Sequence, residues 1–174
     1  MKHLKTLLVG AGVLVASTGL ASAATATGNL NVAVTISSFC SMNATSGSPL
    51  GLAFPTSGSL TQPVSTAAAV ILNVTCSAGT PYTIKLGDGL NKATSGDRQM
   101  AREGGATTES KIPYKLSRQA LGVEEWGPGA TFTPTSPGSG AAQAFSIFGY
   151  IPAIVGTQPT PGTYTDTVVI TIDY

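Results

Sequence analysis

An antiparallel β-sandwich is the fold class that this sequence predicts, and three observations predict it. Apolar residues recur at every second position in several short runs, which is the period of a strand with one buried face. Clusters of Gly, Pro, Ser and Thr separate those runs, as turns separate the strands of a sandwich. No stretch carries the spacing of an amphipathic helix.

The first 23 residues read as a secretory signal peptide. Lys2 and Lys5 give a positive start, residues 7–20 are apolar and small, and Ala21-Ser22-Ala23 fits the small-x-small cleavage pattern. A membrane anchor is the competing reading, but the run is shorter than the ~20 residues that a spanning helix needs. Cleavage is expected between Ala23 and Ala24. Removing 23 of 174 residues leaves 151, enough for one domain with a core. Cleavage also removes His3, the one histidine, and two of the nine basic residues, leaving seven against eight acidic. With no basic cluster and a net charge near −1, nucleic acid is not an expected partner.

Residues 24–37 come next. Within them Leu30, Val32, Val34 and Ile36 alternate with Asn31, Ala33 and Thr35, so the four aliphatic side chains share one face of an extended segment. Such a segment must pair within its own fold or reach into another molecule. The domain proper is expected over residues 38–174. Its two cysteines, Cys40 and Cys76, are expected to form a disulfide because the chain is exported; two free buried thiols are the alternative. The bond closes a loop of about 36 residues and is worth ~3–4 kcal/mol on the chain-entropy account.

Residues 50–54 are the next candidate strand. Val70, Leu72, Val74 and Cys76 share a face of the one after it, and 77–81 form a turn. Tyr82, Ile84 and Leu86 alternate with Thr83 and Lys85, and Gly87-Asp88-Gly89 ends that strand. Further strands are expected over 112–117, 145–151 and 163–173, with long loops at 91–110 and 127–140. In the last strand Val168, Ile170, Ile172 and Tyr174 face one way. The sequence stops inside it, so an open edge is expected there, a template for another strand.

In order along the mature chain, these pieces resemble the spore coat U domain family, which includes major pilins of archaic chaperone–usher pili. The matching residues are the Leu30–Ile36 strand with Cys40, Leu52-Ala53-Phe54, Val74-Thr75-Cys76, and Tyr82-Thr83-Ile84-Lys85-Leu86 with Gly87-Asp88-Gly89. Asp97-Arg98-Gln99-Met100, Ile112-Pro113-Tyr114-Lys115-Leu116 and Trp126-Gly127 follow, then Phe148-Gly149-Tyr150-Ile151-Pro152. The most specific piece is Pro161-Gly162-Thr163-Tyr164-Thr165-Asp166-Thr167-Val168. Pro55 departs from the pattern, where glycine is expected, and shortens the strand before it.

The resemblance implies an incomplete immunoglobulin-like sandwich that lacks its final strand. It implies a periplasmic chaperone that fills the gap temporarily, and an outer-membrane usher that exchanges it for the N-terminal donor strand of the next identical subunit. Leu30, Val32, Val34 and Ile36 would be the donor side chains, and Val168, Ile170 and Ile172 part of the acceptor groove. The product would be a cell-surface pilus for adhesion and biofilm formation, with this chain a shaft subunit. A tip adhesin is disfavoured, since it usually needs a second domain. The competing reading is a secreted spore-coat or envelope protein of the same fold that does not polymerise, its N-terminal strand folded back on its own sheet. A ligand-binding sandwich is the third.

Catalysis finds little support. Glu124 and Glu125 are neighbours, which point to opposite faces of a strand and suit paired acid–base work poorly. Without histidine there is no Ser-His-Asp or Cys-His arrangement, and bonded cysteines leave no usual zinc ligands. Gly87-Asp88-Gly89 is too short for a phosphate loop. Asp97-Arg98 is expected as a surface loop pair, and Trp126 and Tyr150 as core or loop anchors rather than a carbohydrate platform. The sequons at Asn43 and Asn73 carry no weight, and no cofactor or metal is expected.

Overall fold

The computed structural model describes residues 23–44, 47–106, 111–127 and 129–174. The expected signal peptide lies outside these residues except for Ala23. Two units are distinguished, one ending at Thr35 and one running from Ile36 to Tyr174. In the first, residues 23–35 carry no strand or helix and are exposed.

Among its described residues the second unit is all β, with one 3₁₀ turn at Ala120–Gly122. Its longest strands are β3 (Val70–Cys76) and β9 (Ala142–Ile151). They pair antiparallel from Val70 opposite Ile147 to Thr75 opposite Ala142. On the far edge of β3, β1 (Cys40–Met42) sets Cys40 opposite Cys76, and the two are joined by a disulfide. Beyond Ile147, β9 changes neighbours. Its second half lies between β2 (Val64–Ser65) and β7 (Lys115–Ser117).

Two three-stranded sheets complete the unit. In one, β5 (Gln99–Arg102) lies between β6 (Ile112–Pro113) and β10 (Tyr164–Thr165). In the other, β4 (Thr83–Leu86) lies between β8 (Thr131–Phe132) and β11 (Ile170–Asp173). The alternation read from sequence fixes what these strands bury. Leu72, Val74 and Cys76 of β3 join Ile84 and Leu86 of β4, Leu116 of β7, and Ile147 and Ile151 of β9 in one core. Tyr82 and Trp126 belong to it as well, and removing such side chains from water is the main favourable term in folding.

Several expected elements are corrected. Residues 112–117 are two strands in two sheets, broken at Tyr114, and 163–173 are two strands in two sheets, broken across 166–169. Residues 50–54 keep the alternation of a strand, with Leu50, Leu52 and Phe54 half-buried, but belong to no ladder. The expected loops 91–110 and 127–140 contain β5 and β8. Tyr174, expected on the same face as Val168, Ile170 and Ile172, follows the end of β11 and is exposed.

Candidate functional site

Among the described residues, the C-terminal strand is paired along one side only. Ile170 stands opposite Leu86 and Asp173 opposite Thr83. The Gly87 N–H donates to the Val169 carbonyl at 2.8 Å, which continues the pairing past the strand. Antiparallel ladders alternate, so Val169, Thr171 and Asp173 turn their N–H and C=O groups toward β4. Val168, Ile170 and Ile172 therefore turn theirs to the other side, where no strand among the described residues pairs with them.

The same three side chains are half-buried, while Thr167, Val169, Thr171 and Asp173 are exposed. Partial burial of aliphatic residues on the inner face marks a groove. A cavity of about 210 Å³ lies there. Val168 and Ile170 form one side of its lining; Leu50, Leu52 and Phe54, from the segment without a ladder, also line it, with Leu86 and Leu116 of the core. Leu52 and Phe54 lie against Gly149 of β9, where a Cβ would come within 2.6 Å of the Phe54 ring. The absent side chain lets that segment approach the sheet.

One end of the cavity lining is polar. It includes Tyr114, Thr165 and Asp166. The Tyr114 hydroxyl donates to Asp166 Oδ2 at 2.7 Å, while Asp166 Oδ1 accepts from the Asn91 N–H at 3.0 Å and from Asn91 Nδ2 at 3.2 Å. Asn91 Nδ2 also donates to the Thr165 carbonyl. Burial, and then the bond to the Asp166 carboxylate and its charge, push the Tyr114 phenol above its ordinary range; the Arg98 guanidinium opposes this.

Arg98 overturns the expectation of a surface pair with Asp97. It is 1% exposed. Its Nε donates to the Gly87 carbonyl at 2.8 Å, Nη1 to that of Trp126 at 2.7 Å, and Nη2 to those of Leu86 and Gly127 at 2.9 and 3.3 Å. Asp97 instead accepts from the Ser95 hydroxyl. Leaving water lowers the Arg98 pKa, and the surrounding Tyr114, Asp88, Glu125 and Asp166 oppose the shift. The guanidinium thus holds the end of β4 at Leu86, which stands opposite Ile170, and the following Gly87, which bonds Val169. Sequence reasoning missed this: an arginine in a polar run reads as solvated unless its carbonyl partners are known.

The remaining candidates fall apart as sites. Glu124 pairs with Arg118 at 3.0 Å and Glu125 with Lys115 at 2.7 Å, each half-exposed. Trp126 is buried, donating its indole N–H to the Ala130 carbonyl. Asn43 spends its side-chain amide on the Ile71 carbonyl and the Asn73 N–H, extending β1 along β3. Leu30, Val32 and Val34 of the first unit and Ile36 of the second are 84–87% exposed.

The family profile described as the Spore Coat Protein U domain matches residues 26–171. Among curated proteins no match is found. Among solved structures, the fold is similar to a chain in the pre-assembly complex of the chaperone CsuC and the tip adhesion subunit CsuE, from archaic chaperone–usher Csu pili of Acinetobacter baumannii. That likeness has a TM-score of 0.54 at 23% identity, and covers 80% of this chain and 40% of the other. A chaperone–tip adhesin complex of CFA/I fimbriae biogenesis has a TM-score of 0.45 at 14% identity, covering 76% of this chain and 40% of that one. This chain therefore spans 40% of the length of either solved chain.

Proposed function

Because the chain belongs to the Spore Coat Protein U domain family, we propose that it is a structural shaft subunit of a cell-surface pilus, polymerised when residues 25–37 of one copy fill the groove of the next. A periplasmic chaperone would hold the groove first, and an outer-membrane usher would exchange it for the next subunit. The filament would serve surface adhesion and biofilm formation.

One observation carries this reading: an alternating aliphatic segment is exposed in the same chain that leaves an aliphatic strand edge unpaired. Leu30, Val32, Val34 and Ile36 offer what Val168, Ile170 and Ile172 lack. Burying four such side chains contributes about 1.5–3 kcal/mol each before the ordering cost of the segment. A head-to-tail contact that does not close generates a filament.

Reach favours a second copy over folding back. Cys40 is tied to Cys76, at the end of β3 from which the chain turns directly into β4. It therefore lies at the pole where Thr83 meets Asp173. An antiparallel strand beside β11 would put Ile36 near Val168, at the opposite pole. Five residue steps separate Val168 from Asp173, about 17 Å. The four steps from Ile36 to Cys40 span at most about 14 Å. The chain's own arm can thus enter only in parallel, the less stable pairing, while another copy's arm is free to enter antiparallel.

The test is the mature chain on a denaturing gel without boiling. A heat-sensitive ladder is expected, and Val34→Asp removes it by placing a carboxylate in an apolar groove while leaving the Cys40–Cys76 bond and the circular dichroism unchanged. A ladder from Val34→Asp equal to wild type, or none from wild type, overturns the reading.

A further inference from the structure

We propose a register for the inserted strand: residue sums of 204 against the C-terminal strand, with Ser38 of the incoming copy seated on Asp166. This rests on the reading above, in which another copy's arm enters antiparallel to β11.

Phase comes first. Side chains opposite one another in an antiparallel pair share a face. The inward residues of the acceptor, Asp166, Val168, Ile170 and Ile172, are half-buried and even-numbered. Those of the arm, Leu30, Val32, Val34 and Ile36, are also even-numbered, so only even sums bring both sets to one face. A shift of one residue would turn every aliphatic side chain to solvent.

Chemistry then selects among the even sums. At 204, Ile36 meets Val168, Val34 meets Ile170, and Val32 meets Ile172, with Leu30 beside Tyr174. The next residue in phase, Ser38, reaches Asp166. At 202, Ile36 would lie against the Asp166 carboxylate, a charge left beside an aliphatic side chain. At 206, Leu30 would pass beyond Tyr174 and Ser38 would face Val168.

Asp166 has room for the serine. A carboxylate offers about four acceptor positions. Asn91 takes two with its N–H and side-chain amide, and the Tyr114 hydroxyl takes a third. Asp166 also lines the cavity. A hydroxyl arriving in the strand can donate to the remaining position, and no charged residue occurs in 24–38 to compete for it.

Hydrogen-bond geometry agrees. Val168, Ile170 and Ile172 present N–H and C=O to the open side, so Ile36, Val34 and Val32 would form hydrogen-bonded pairs with them. The intervening pairs, Ser37 with Thr167, Thr35 with Val169 and Ala33 with Thr171, are then the close non-hydrogen-bonded ones, about 4.5 Å between Cα atoms. That separation lies within reach of a disulfide. The side chains of Thr35, Thr167, Val169 and Thr171 are exposed, so cysteine there spares the core.

The experiment combines Thr35→Cys with Thr167→Cys, Val169→Cys or Thr171→Cys in turn, in the full mature chain, under oxidised glutathione. Thr35→Cys with Val169→Cys is expected to give a ladder that survives boiling and collapses on reduction, at least tenfold more abundant than with either neighbour. Preferential bonding through Thr167→Cys means a sum of 202, and through Thr171→Cys a sum of 206; either overturns the register. So does a boiling-sensitive ladder with no covalent product in any of the three, while the polymer reading stands. If wild type forms no ladder at all, that reading fails and the register falls with it.

Discussion

The Tyr114 hydroxyl and the Asp166 carboxylate meet at 2.7 Å, and each residue stands where the chain leaves one sheet for another. Tyr114 separates β6, in the sheet of β5, from β7, beside β9. Asp166 follows β10 and precedes β11. One charge-assisted bond thus ties together the two crossings, at the polar end of the groove.

Burial of Tyr114, and then that bond, are expected to make the protein sensitive to alkali. The Tyr114 phenol titrates above its ordinary value of 10.0 in the folded chain, and Tyr82 is also raised, by burial. Above pH 10 the unfolded chain releases protons that the folded chain retains, so stability is full below that pH and falls as pH rises beyond it. Thermal unfolding followed from pH 8 to 11 is expected to show the fall. Tyr114→Phe should flatten it, at a cost of about 1–2 kcal/mol at neutral pH for the lost bond.

Arg98→Met should destabilise far more than an ordinary loop substitution. Four carbonyls lose the guanidinium, although those of Leu86 and Gly127 keep the N–H groups of Gly129 and Ala130, and three segments lose a common anchor; about 3 kcal/mol or more is expected. Urea unfolding followed by Trp126 fluorescence, on the Val34→Asp background to avoid polymer, measures it. A change below about 0.5 kcal/mol, typical of a surface site, would refute the assigned role.

Replacing Cys40 and Cys76 together by serine removes the one covalent tie on β1. A loss of ~3–4 kcal/mol is expected for a loop of this length. Calorimetry of the double variant against oxidised wild type gives the number, and an unchanged midpoint would contradict it.

Gly149→Ala should act on the groove through its wall. The new Cβ would crowd the Phe54 ring and the Leu52 side chain. Overpacking there is expected to cost about 1–2 kcal/mol and to lower the temperature at which the ladder dissociates. Retention of the wild-type dissociation temperature would show that 52–54 do not shape the bound strand's environment.

Much of this architecture is written in period-two alternation. β3 and β4 follow from it, with the inward residues as expected, because alternation reports which face a side chain occupies; β9, expected over 145–151, starts earlier, at Ala142. It does not report which strand lies alongside. Residues 112–117 and 163–173 keep their phase while changing partners at Tyr114 and Asp166, so each reads as one strand. Residues 50–54 alternate with no ladder at all. β5, with the sequence Gln-Met-Ala-Arg, has no alternation to find. Arg98 was illegible for a different reason: its partners are main-chain carbonyls, which leave no mark in the residue types around it.

The disulfide lies at the place where a pull on the N-terminal arm would enter the domain. Phe39 alone separates Ser38 from Cys40, and the Phe39 carbonyl accepts from the Ser77 N–H. Tension arriving at Cys40 would otherwise load the three-residue strand β1 and peel it away rung by rung. The covalent tie to Cys76 diverts that force into β3, whose pairs with β9 run from Val70 to Thr75. Force along the strand axis shears those pairs together instead of opening them in turn. Stretching such a filament would strain the seams between subunits, while each body carries its load as a unit.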